Sequence, residues 1–115
     1  MKPELKKLWV EALRSGEYKQ TQDQLCHKDG NDYSYCCLGV LCEVAVKAGL
    51  PITINFDEEE PKAYDFKETT NTADLHWRLL EEFELTSEDQ SELIDLNDDK
   101  EAPFTEIADY IEKNL

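Results

Sequence analysis

Three groups of residues have types and spacings that invite chemistry. The first is Cys26, His27, Cys36, Cys37 and Cys42. Thiolates and imidazole are the ligands zinc prefers, and a thiol beside an imidazole can act as a nucleophile. The spacing argues against both uses. Zinc sites draw ligand pairs from tight C-x-x-C knuckles, whereas these pairs are adjacent or six apart in an apolar stretch that reads as a helix, so they point to different sides. Nothing selects Cys26 or Cys36 with His27 or His76 as a nucleophile and base. The thiols are expected to be reduced, buried and packed as small hydrophobes, with no metal and no catalytic residue assigned.

The second group is Asp95-Leu96-Asn97-Asp98-Asp99-Lys100 through Glu106, which matches the calcium-loop pattern at loop positions 1, 3, 5 and 12. Asp95, Asn97 and Asp99 would be side-chain ligands and Glu106 the bidentate one. Lys100, however, stands where glycine normally permits the sharp turn, and it brings a cation beside the ion. A solvated helix–loop–helix junction is the expectation.

The third group surrounds a short hairpin: Tyr18, Gln20, Tyr33 and Tyr35, with Arg14 and Lys19 nearby. Aromatic faces beside an amide and a cation can hold a planar nucleotide-like ligand by stacking and hydrogen bonding. Tyr18, Gln20 and Tyr35 are the expected ligand contacts, and Asn97 and Asp98 reach the same site from late in the chain.

The elements that must position these residues follow from periodicity. Leu5, Leu8, Trp9, Ala12 and Leu13 recur at helical spacing after Pro3, and Ser15-Gly16 closes that helix. Leu25-Cys26-His27 and Tyr33-Ser34-Tyr35 flank the turn signal Lys28-Asp29-Gly30-Asn31-Asp32, so they form a hairpin. The stretch Tyr35 to Gly49 is the most apolar in the chain and should be the central helix. Its polar or bare positions Gly39, Glu43 and Lys47 lie four apart, which predicts a narrow solvent stripe carrying a Glu43–Lys47 pair. Gly49 and Pro51 end it. Ile52–Phe56 alternates as a strand, with Ala63–Phe66 returning beside it across the exposed acidic turn at 57–60. Asn71 or Thr72 should cap a helix with Leu75, Leu79, Leu80 and Phe83 buried. Another helix begins at Thr86-Ser87-Glu88-Asp89 and runs through Leu93, Ile94 and Leu96. The last buries Phe104, Ile107, Ala108 and Ile111.

The fold class is therefore α+β: about five helices around a central apolar helix, with one or two short β-hairpins, in a single domain over residues 1–115. Apolar runs fall short of a membrane span and the start lacks a signal-like segment, so a cytoplasmic protein is expected. The 115 residues carry a net charge of −15, and the split is uneven. Residues 1–50 have seven basic and seven acidic residues, while 51–115 have five and twenty. Such an acidic half repels nucleic-acid phosphate and anionic lipid and leaves a basic partner surface, a cation or solubility alone as its use.

The pattern Trp9-x-x-Ala12-Leu13-x-Ser15-Gly16-x-Tyr18-x-Gln20, then Tyr35-Cys36-Cys37-Leu38-Gly39-Val40-Leu41-Cys42, then Leu93-x-x-Leu96-Asn97-Asp98 and Phe104-x-Glu106-Ile107-Ala108-Asp109-Tyr110-Ile111-Glu112, resembles a family of small uncharacterised proteins carried by bacteriophages and prophages. The resemblance covers both ends and not the middle, about 51–85. The junction Asp99-Lys100-Glu101-Ala102-Pro103 is longer than is usual in that family and lacks its glycine. The resemblance implies a phage accessory protein acting in the bacterial host cytoplasm, a class whose members commonly bind host factors or defence signals. The expected function is a non-enzymatic, anti-defence binding protein that sequesters a small nucleotide-like signal without a cofactor. The alternatives are an acidic nucleic-acid mimic that binds a host protein with a basic surface and, less favoured, a metal- or thiol-dependent enzyme.

Overall fold

A computed structural model describes residues 1–30, 32–49, 53–55, 63–65 and 77–115. The expected cap at Asn71 or Thr72, the buried Leu75 and the acidic turn at 57–60 lie outside these residues. The chain runs α1 (Pro3–Ser15), β1 (Lys19–Gln20), β2 (Cys26–Asp29), β3 (Asp32–Tyr35), α2 (Cys37–Lys47), β4 (Thr53–Asn55), β5 (Ala63–Asp65), α3 (Trp77–Phe83), α4 (Ser87–Ile94), a π-helical turn (Asp95–Asp99) and α5 (Phe104–Asn114). Among the described residues, five α-helices and a small mixed sheet make this an α+β fold.

Local signals determine most boundaries. Pro3 sits in the first turn of α1, where its missing N–H costs nothing, and Gly16 ends the helix at φ 78°. Thr86 caps α4 through a reciprocal pair: its hydroxyl accepts from Asp89 N–H, and the Asp89 carboxylate accepts from Thr86 N–H, both at 3.0 Å. α5 buries Phe104, Ile107, Ala108 and Ile111 as its spacing requires.

The sheet has order β1-β3-β2. β2 and β3 form the expected antiparallel hairpin, with Cys26 opposite Tyr35 and His27 opposite Ser34. β1 joins β3 in parallel, pairing Gln20 with Tyr35, which no local pattern announced. β4 and β5 pair antiparallel, Ile54 opposite Tyr64.

α2 is the hub, buried without interruption from Cys37 to Ala45. α1 packs across its start, where the Trp9 indole donates to the Cys37 carbonyl at 2.9 Å inside the core. Leu79, Phe83, Leu93, Ile107 and Ile111 complete that core. Two expectations are corrected. The Gly39–Glu43–Lys47 row is no solvent stripe, because Gly39 and Glu43 are buried under the sheet and only Lys47 is exposed. Leu8 is not in the core either: α1 buries Leu5, Trp9, Val10 and Leu13, and this choice turns Leu8 to the flank.

Candidate functional site

The expected contact residues form one connected neighbourhood built from the sheet, the start of α2 and the π-helical turn. The turn widens the helix by one residue, with Lys100 N–H reaching the Asp95 carbonyl at 2.9 Å. That extra residue turns Asn97 inward, where it is 1% exposed. Its Oδ1 accepts from Gln20 Nε2 at 2.9 Å and from the Cys37 backbone N–H at 3.2 Å. Its Nδ2 donates to the Thr21 carbonyl at 2.8 Å and to Asp98 Oδ1 at 2.7 Å. All four hydrogen-bonding positions of the carboxamide are thus filled. Gln20 Nε2 also donates to the Ala102 carbonyl at 2.8 Å. Gln20, Asn97 and Asp98 therefore join β1, the start of α2 and the approach to α5, and Asn97 supplies the N-terminal cap that Cys36 does not.

Beside this joint lies an aromatic pair. Tyr18 and Tyr35 meet edge to face with ring centroids 5.4 Å apart. The Tyr35 hydroxyl donates to Glu43 Oε1 at 3.1 Å, which anchors the buried carboxylate of α2. Lys47 donates to the Tyr18 hydroxyl at 2.9 Å, and this bond raises the lysine pKa above its ordinary value.

Of the five residues, Tyr18 borders a cavity. A groove of about 440 Å³ runs between α1 and α2, with Leu8, Ala12, Val44 and Ala48 as its apolar wall. Tyr18 and Lys47 stand at one side of it, and Glu11 and Glu17 supply acidic groups. Tyr35 and Asn97 are buried, and Gln20 and Asp98 are half-buried. Lys47 and Glu43 escaped the sequence reading because their i,i+4 spacing read as a solvent pair. The usable signal was Tyr18 placed two residues after the helix-ending Gly16, which aims it back across α1 toward α2.

The calcium-loop ligands do not converge. Asn97 faces the interior, Lys100 pairs with Asp95 at 3.2 Å, and the Asp99 carboxyl is raised above its ordinary pKa chiefly by its hydrogen bond with Asp95. Among the described residues no three His, Cys, Asp or Glu side chains could hold a metal ion. All four cysteines are buried, and no disulfide joins them. Desolvation pushes the Cys36 thiol up to about 12 and the Cys37 and Cys42 thiols well above their ordinary value, against the reactive thiolate. Among the described residues no helix is long and apolar enough to cross a membrane.

No curated protein and no solved structure matches the chain. Residues 1–115 match a single family pattern from end to end, and the chain belongs to that family, described as a domain of unknown function (DUF8296).

Proposed function

We propose that this chain is a non-enzymatic binding protein that takes a small, planar, nucleotide-like ligand in the groove between α1 and α2. The observation that carries this reading is the groove itself, about 440 Å³ with an apolar wall, the Tyr18 ring and the Lys47 ammonium at its side. An apolar wall with a few convergent polar groups is the usual make-up of a small-molecule site. Tyr18 contacts the ligand, Lys47 meets an anionic group on it, and Tyr35, Gln20, Asn97 and Asp98 hold the wall on which Tyr18 stands. The resemblance to phage-borne proteins supports a role inside the bacterial host, where sequestering a defence signal requires affinity and no chemistry.

Thermal melting with adenine-containing cyclic mono- and dinucleotides tests the reading. A ligand present at about a hundred times its Kd raises the melting temperature by roughly 5–10 °C. Tyr18→Ala and Lys47→Ala abolish the shift while keeping the helical signal. No shift with any nucleotide at millimolar concentration removes the proposal.

A second reading is supported by the crowding of Asp95, Asp98 and Asp23 around Asp99, whose proton affinity all three raise. Such a surface suits a basic face of a host nucleic-acid-binding protein. A complex of this kind dissociates as salt rises, because screening weakens exposed charge pairs. Salt-insensitive capture of a host protein excludes it.

A further inference from the structure

The apolar series of α1 places Leu8 with the core residues, yet the fold leaves it 42% exposed, the one exposed large hydrophobic side chain among the described residues. At about 100° per residue, Leu5, Trp9, Val10 and Leu13 point one way and Leu8 lies on the flank beside Ala12, at the mouth of the groove. A leucine in that position leaves apolar surface in water that its own chain does not cover and that a docked surface would remove.

The charges around Leu8 say what that surface is. Along the outer side of α1 stand Glu4, Lys7, Glu11 and Arg14, acid and base in alternation about the middle of the helix. Laid antiparallel against a second copy of itself, this series meets its complement. Lys7 faces Glu11 and Glu4 faces Arg14, and the twofold axis makes each pair twice. Arg14 is bound to Asp109 at 2.6 Å and to Glu112 at 2.9 Å, but its side chain remains 39% exposed. The net charge of −15 opposes self-association through the acidic half of the chain. That excess lies in residues 51–115; α1, in the neutral half, carries Lys6, Lys7 and Arg14 against Glu4 and Glu11, and Arg14 offsets the adjacent Asp109 and Glu112.

We infer that two copies of this chain associate through antiparallel packing of α1 on α1. Leu8 of each enters the groove mouth of the other beside the small side chain of Ala12, and Lys7 pairs with Glu11 across the twofold axis. The partner's Leu8 and a ligand would compete for the same groove mouth, so association is measured on the ligand-free chain and needs no ligand to be tested.

Light scattering and sedimentation equilibrium on the full chain at low salt, from about 5 to 200 µM, provide the test. The expected mass rises with concentration toward twice the 13.3 kDa of one chain. Leu8→Glu holds the protein monomeric throughout without lowering its melting temperature at the lowest concentration, since the side chain is outside the core. Lys7→Glu and Glu11→Lys each weaken association about ten-fold or more, because each reversal creates two repulsive contacts. The double variant Lys7→Glu/Glu11→Lys restores it to within about three-fold. A wild type that stays monomeric to the highest concentration, or a Leu8→Glu variant that still dimerises, overturns the inference. A double charge exchange no better than the single reversals overturns the antiparallel arrangement.

Discussion

The carbonyl oxygen of Leu25 occupies the space where a side chain at Gly39 would begin. A Cβ at Gly39 would overlap that oxygen and lie 2.9 Å from the carbonyl carbon. The same carbonyl accepts a hydrogen bond from Cys36 N–H at 3.2 Å, so the end of the β1–β2 connection is pressed onto the first turn of α2. The glycine is there because backbone meets backbone.

Gly39→Ala therefore has the opposite sign from the usual helix substitution. Alanine is favoured over glycine in a helix by about 1 kcal/mol, but here the clash is with main chain that is itself hydrogen-bonded. The expected net loss is about 2–3 kcal/mol in urea unfolding, as for an overpacked core position. A variant as stable as the parent would mean that Leu25 and α2 separate freely.

Asn97 serves four partners at once, so Asn97→Ala strands the Cys37 N–H and the Thr21 carbonyl in the interior. A loss of about 2–4 kcal/mol is expected. Asn97→Asp is informative through pH: its carboxylate faces the Thr21 carbonyl and Asp98 and can donate to neither. Its protonated form can donate again. The denaturation midpoint of this variant, relative to the parent, should rise as pH falls from 7 to 4, and a constant difference would show that the side chain is solvated.

The buried thiols make the fold sensitive to alkali. With Cys36 raised to about 12 and Cys37 and Cys42 also raised by burial, the unfolded chain releases thiol protons first as pH climbs. Their contribution to stability is complete below pH 9 or so, the ordinary thiol value, and is lost progressively above it. The loss is roughly 1 kcal/mol per thiol by pH 10, read from the pH dependence of urea unfolding. In the folded protein at pH 7.5 the thiols should resist alkylation by iodoacetamide and react only in denaturant. Rapid labelling of Cys37 or Cys42 without denaturant would contradict their burial.

Asp99 shares a hydrogen bond with Asp95 that requires a proton, and its pKa is raised for that reason first. The folded state holds this proton more tightly than the unfolded state. Its stabilising effect is complete below the ordinary carboxyl value and is lost as pH rises through the raised one. Asp99→Asn supplies a donor at every pH. Its melting temperature should exceed the parent's at pH 7 and converge with it near pH 3, as scanning calorimetry would show. Equal melting temperatures at pH 7 would mean that solvent already separates the two carboxyls.

Local order was legible in the residues themselves. Pro3 and Gly16 bound α1, Thr86 and Asp89 start α4, and the spacing of Phe104, Ile107, Ala108 and Ile111 orients α5. Each depends on neighbours within a turn or two, so the sequence alone determines it. The hairpin that carries Tyr33 and Tyr35 was legible because β2 and β3 are adjacent in the chain.

Only the tertiary structure decided what each face meets. Periodicity placed Gly39, Glu43 and Lys47 in one row, but the closeness of Leu25 and Tyr35 made most of that row interior. Likewise it grouped Leu8 with Trp9, whereas the packing of α1 against α2 and α5 chose a face that leaves Leu8 out. Gln20 and Asn97 are 77 positions apart, and no short-range pattern pairs them. Their meeting depends on the parallel β1–β3 pairing and on one extra residue in a helical turn. Spacing fixes direction within an element; the shape of the neighbouring elements decides whether that direction is core, joint or open surface.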